Sequence, residues 1–147
     1  MLGLKVLHDI PFPNGNIDHI LIGPKGIYTI ETKARTKSNG NDTITYDGKR
    51  LRVAGFAPDR DPITQARKQA HWLHLQIKKH TDLKLFVRPA VVFPGWYINA
   101  NASNPQVWVL NENGLASFLA NEKDVLSADA VDRIYSLILN VARTKRA

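Results

Sequence analysis

The residues best placed to do chemistry are two carboxylates and an amine, Asp18, Glu31 and Lys33. Ile17 to Ile22 and Ile27 to Lys33 are β-rich runs around Gly23-Pro24-Lys25-Gly26, whose Pro and Gly punctuation reads as a hairpin turn. If Pro24 and Lys25 are the two loop residues, Asp18 stands directly opposite Glu31. Side chains alternate along a strand, so Glu31 and Lys33 share a face, and Asp18 joins them in this register. Two carboxylates about 5 Å apart at Cβ repel each other unless a cation intervenes. Carboxylate oxygens are the ligands that Mg²⁺ prefers. A proline at the first loop position disfavours the primed turns. A three-residue loop with Gly26 in a bulge would shift the register by one and set Asp18 against Thr32.

The elements that must hold these residues follow from local patterns. Thr43 to Tyr46 and Arg50 to Ala54 flank Asp47-Gly48, the strongest short hairpin signal in the chain. The connection 34–41 before them is polar. Asp61-Pro62 opens a helix, with Asp as N-cap and Pro at the first helical position. Ile63, Ala66, Ala70, Leu73 and Ile77 give this helix a buried stripe as far as about His80. Leu85 to Phe93 and Gln106 to Leu110 read as strands, with a loop over 95–105 between them. Asn111 to Asn121 reads as a short helix. Ser127 caps a last helix running to about Arg143, with Val131, Ile134, Ile138 and Val141 inward. The expected architecture is α/β, a central mixed sheet flanked by helices, in one domain spanning 1–147.

Composition narrows the chemistry. The chain has 147 residues, 44% hydrophobic and 22% charged, which is globular usage. Zero cysteines exclude disulfides, thiolate metal sites and a cysteine nucleophile. No apolar run approaches the ~20 residues of a membrane span, and the start is no secretory signal, so a cytoplasmic protein without membrane contact is expected. The net charge is +7, and the stretch 62–88 contributes most of the excess through Arg67, Lys68, Lys78, Lys79, Lys84 and Arg88 against Asp82 alone. Such a balance attracts polyanions. Arg67 and Lys68, with Arg35, are the candidate phosphate contacts.

Asn16-Ile-Asp18-His-Ile-Leu-Ile-Gly-Pro-Lys-Gly26-Ile-Tyr-Thr-Ile-Glu31-Thr-Lys33, followed by Asp61-Pro62-Ile-Thr-Gln65-Ala66, resembles the nuclease-related domain, NERD, a branch of the PD-(D/E)XK superfamily. The likeness is sharp at 16–33 and 61–66 and extends in element order from about Lys5 to Leu110. It implies a restriction-endonuclease-like fold and metal-dependent hydrolysis of DNA. It also implies the roles. Asp18 and Glu31 would hold Mg²⁺, with Mn²⁺ as a substitute and the Thr32 backbone carbonyl as a further ligand. Lys33 would position or help deprotonate the attacking water, and Gln65 would steady Lys33 or a phosphate. The rival reading is a weak or inert nucleic-acid-binding accessory domain. The family usually carries an N-terminal helix with a glutamate ahead of the first strand, which this sequence does not contain. A truncated or divergent domain is expected, or a homo-oligomer or partner chain that supplies that surface.

Other chemistry-bearing residues have plainer readings. His71 and His74 lie three apart on a helix but lack the further ligands of a zinc site. His19 points away from Asp18, to the opposite sheet face. Trp72, Trp96 and Trp108 read as core or loop anchors rather than base-stacking platforms. Trp96-Tyr97, in the expected loop, is the one pair suited to stacking on bases.

Overall fold

The computed structural model describes residues 3–37, 42–102 and 105–146; residues 38–41 of the polar connection lie outside them. Three antiparallel strands come first, β1 (Lys5–Phe12), β2 (Gly15–Gly23) and β3 (Gly26–Thr32). Gly23 pairs with Gly26 and His19 with Ile30, so the loop is the two-residue Pro24-Lys25 turn and the register is not shifted. Neither loop residue takes a positive φ; Gly26 does, at 140°, which lets the second strand resume pairing without a primed turn. The hairpin β4 (Thr43–Tyr46) and β5 (Leu51–Val53) follows, then α1 (Pro62–Thr81) and β6 (Val87–Val92). The chain continues through β7 (Tyr97–Ala100), β8 (Trp108–Leu110), α2 (Glu112–Asn121) and α3 (Ala128–Arg146).

The main sheet is mixed, in the order β1-β2-β3-β6-β8, antiparallel across β1, β2 and β3 and parallel from β3 through β6 to β8. Parallel neighbours need a crossover, and between β3 and β6 it includes α1. Helices α1 and α3 bury Leu73, Ile77, Ile134 and Ile138 against Ile20, Ile22 and Ile27 on one face. Leu119 of α2 joins Leu21, Tyr28, Ile30 and Trp108 on the other. A second sheet, β5-β4-β7, packs Ile44, Tyr46 and Leu51 against Ile63 and Ala66 of α1 and Val91 and Val109 of the main sheet. The expected mixed sheet flanked by helices is present. No described helix is long and apolar enough to cross a membrane.

Four details differ from the sequence expectations. β1 is not among the strands expected from the sequence: Pro11 breaks its pattern, and the strand tolerates it as an edge strand whose outer groups need no partner. β7 lies inside the expected loop 95–105; Tyr97, Asn99 and Ala100 are exposed, so no alternation marks it, and parallel pairing with β4 alone makes it a strand. The small sheet is therefore separate from the main one. On α3 the inward residue of the last turns is Ala142, with Val141 only half-buried.

Helix α1 starts where its capping chemistry puts it. Asp61 Oδ1 accepts from the Ile63 N–H at 3.0 Å and Oδ2 from the Thr64 hydroxyl at 2.7 Å, with Pro62 at N1. Asp61→Ala should cost about 1 kcal/mol of stability by urea unfolding, since it orphans helix N–H groups.

On the opposite face Tyr28 is buried beside Trp108, with ring centroids 5.5 Å apart. Burial, reinforced by the charge of Glu122 and opposed by Arg88, pushes its phenol up from 10.0 to about 12. The fold therefore favours the neutral phenol, and this contribution is intact below pH 10 and lost as pH rises to about 12. Tyr28→Phe should lose less stability than wild type across that interval, as read from urea midpoints at successive pH values.

Candidate active site

The candidate site forms at the carboxyl ends of β3 and β6, beneath the first turns of α1. The backbone N–H of Lys33 donates to the Val92 carbonyl at 2.8 Å, carrying the β3–β6 pairing past the end of β3. Ile27, Thr29 and Glu31 alternate onto the face that packs on α1. The β2–β3 pairing begins at His19 with Ile30, and Asp18 stands immediately before it, next to Ile17, which is buried in the same core as Ile20 and Ile22. Asp18 Oδ2 accepts from the Thr32 N–H at 3.0 Å, which ties its carboxylate to the end of β3.

Glu31 is buried, 6% exposed, and each of its oxygens has a partner. Oε1 meets the Lys33 Nζ at 3.1 Å, and Oε2 accepts from the Gln69 Nε2 at 3.0 Å. Lys33 Nζ also donates to Gln65 Oε1 at 3.2 Å. The amine is thus held between a buried carboxylate and a neutral amide. A buried carboxylate is retained at low cost only when paired and hydrogen-bonded, and Glu31 is both. Gln65 and Gln69 stand one helical turn apart on α1, so one helix face presents two amides to the end of β3.

Gln69 escaped the sequence reading. It is fully buried within the apolar stripe of Ile63, Ala66, Ala70 and Leu73, and its Oε1 has no partner among the described residues. A polar residue inside a helix's buried stripe, four positions after Gln65, is the signal that would have found it.

The remaining expected residues are more dispersed. Thr32 reaches the site through its N–H to Asp18. Arg35 is exposed beside a recess with Phe56 and Asp59, and Arg67 and Lys68 are exposed on α1. Trp96 is 2% exposed and packs in the core under the small sheet, so it offers no ring for stacking, although Tyr97 is exposed. His19 pairs with His8 across β1 and β2, and its Nδ1 lies 2.8 Å from the Nδ1 of His8. His74 Nδ1 donates to the Leu85 carbonyl at 2.6 Å.

The donor set suits a hard divalent cation. Among the described residues no three His, Asp or Glu side chains converge on a metal position. Mg²⁺ needs no such cage, because it keeps several waters and is commonly bound through one or two carboxylates plus substrate phosphate. Each carboxylate oxygen carries two acceptor positions, so the bonds from Lys33, Gln69 and Thr32 leave coordinating capacity on Glu31 and Asp18.

The family model described as "Nuclease-related domain", NERD, matches residues 2–94, which include every residue of this cluster. The chain belongs to the NERD family. Among solved structures the NERD chain is similar to SfsA of Pyrococcus furiosus, in a complex with Ca²⁺, at 15% identity and a TM-score of 0.34. That match covers 96% of this chain and 46% of the other, so the NERD chain spans less than half of that protein's length. A search of curated proteins finds no significant match.

Proposed function

We propose that this NERD domain is a divalent-metal-dependent nuclease that hydrolyses phosphodiester bonds of DNA. The observation that carries the reading is the placement of the Lys33 amine, held by buried Glu31 and by Gln65 one strand away from Asp18. A surface ion pair gains little, and nothing in packing calls for two acids, a lysine and two amides at one strand end.

Asp18 and Glu31 hold Mg²⁺ or Mn²⁺ in this reading, with the Thr32 carbonyl as a further ligand. Bound there, the metal neutralises charge on the scissile phosphate and lowers the pKa of water. Lys33 orients the attacking water by hydrogen bonding, with its position fixed by Glu31 and Gln65. The water oxygen attacks phosphorus in line with the leaving oxygen. The bond to that oxygen breaks, and the water's proton ends on it. Gln69 holds Glu31 from behind, so the carboxylate presents one orientation to the site. Exposed Arg67 and Lys68 on α1, with Arg35 beyond β3, contact phosphates of the bound strand.

Incubation of the purified protein with supercoiled plasmid and with single-stranded DNA, in Mg²⁺ or Mn²⁺ against EDTA, tests the reading. Strand scission in metal alone is the expected result. Intact DNA under every condition, with binding retained, would leave only a nucleic-acid-binding domain.

A further inference from the structure

A groove of about 410 Å³ runs between α1 and the lead-in to β6, outside the carboxylate cluster. Its rim carries Arg67, His71, His74 and Lys84, its floor includes Ala70 and Val87, and no acid among the described residues lines it. At the far end stands Phe86, 57% exposed, with the Arg88 guanidinium 4.8 Å from its ring centroid. Arg88 is itself anchored on the carbonyls of Pro105 and Gln106 at 2.7 and 3.1 Å, so it backs the ring as a fixed support. The bond from His74 to the Leu85 carbonyl fastens the segment bearing Phe86 to the helix. The groove begins at Arg67, two residues past Gln65, and follows α1 away from the catalytic end. From Gln65 to His74 is about 13 Å along the helix axis.

We propose that this groove binds a single-stranded stretch of polynucleotide, with a base stacked on Phe86 and phosphates along Arg67, His71 and Lys84. The inference rests on the nucleic-acid reading above and gives it a strandedness. A duplex keeps its base faces inside the stack and offers a protein mainly phosphates, for which an exposed aromatic ring has no use. A single strand presents base faces and charge together, and a basic groove with an aromatic platform matches both. The volume is within the range of pockets that hold small organic ligands, enough for a base and its sugar.

The test is fluorescence anisotropy in EDTA, where cleavage is silent, with a labelled 12-nucleotide oligo-dT and a duplex of the same length. Wild type should bind the single strand more tightly. Phe86→Ala should weaken single-strand binding about tenfold and leave duplex binding within about twofold. Lys84→Ala should instead reduce the salt slope by about one. Phe86→Trp should retain affinity, and its added fluorescence should be quenched by oligo-dT, a stacking signature that a structural role would not produce. Preference for the duplex, unchanged single-strand affinity in Phe86→Ala, or an unquenched Phe86→Trp would overturn the proposal. Hydrolysis in Mg²⁺ with no dependence of binding on Phe86 would refute the groove and leave the nuclease standing. Phe86-dependent binding without hydrolysis would do the reverse.

Discussion

Glu31→Gln should lower DNA cleavage at saturating Mg²⁺ by on the order of 10³-fold while barely changing stability, because it removes the charge of the proposed metal ligand without changing its shape. The neutral side chain can still accept from Lys33. Its new amide group would face Gln69, whose own amide can turn so that Oε1, unpartnered among the described residues, becomes the acceptor. One hydrogen bond is exchanged for another, so urea unfolding should move by less than about 1 kcal/mol. Glu31→Ala is the poorer test, since it strands the Lys33 amine and the Gln69 amide together. Asp18→Asn should lower cleavage by a similar factor. Full cleavage in both Glu31→Gln and Asp18→Asn would remove these carboxylates from the chemistry.

Lys33→Ala should separate metal binding from turnover. Its amine lies 3.1 Å from a Glu31 oxygen, so removing it deletes a cation beside the proposed metal position, and Mg²⁺ affinity should stay level or rise. Cleavage should nevertheless fall by roughly 10²-fold or more, because the water loses its orienting group. Lys33→Arg should not rescue: a planar guanidinium cannot occupy the place of a compact ammonium between Glu31 and Gln65, so the water is not oriented in the same way. Gln65→Ala should be milder, since a neutral amide steadies the amine without carrying charge into the transition state. Calorimetric metal titration beside a cleavage assay on these three variants reads both quantities. Lys33→Ala losing metal binding as completely as Glu31→Gln, or Lys33→Arg keeping full turnover, would contradict the assigned roles.

The hairpin that carries Asp18 and Glu31 was legible because its signals are local. Gly23-Pro24-Lys25-Gly26 sets the loop, and alternation then decides which side chains face α1. The start of α1 was legible for the same reason, since Asp61 and Pro62 act within one turn. What escaped depends on partners distant in sequence. β7 is held by β4, more than 50 residues earlier, and its own side chains are too exposed to announce it. Trp96 is an anchor as its residue type suggests, but that it packs under a small sheet depends on β7 and could not be read locally. Gln69 was hidden because an apolar stripe with one amide in it looks like a helix face with one flaw, until Glu31 is seen beneath it. The groove ending at Phe86 likewise exists only once β6 is docked against α1.

Metal binding by Asp18 and Glu31, as proposed, ties hydrolysis to both carboxylates. The decisive measurement is the rate of plasmid cleavage as Mg²⁺ is raised from zero, for wild type, Asp18→Asn and Glu31→Gln. Wild type should show no cleavage without metal and saturable activation as Mg²⁺ rises. In both Asp18→Asn and Glu31→Gln the plateau should fall by on the order of 10³-fold, and the activation that remains should need at least about tenfold higher Mg²⁺. Cleavage that persists in EDTA, or the same activation curve for all three proteins, would contradict this role of the two carboxylates.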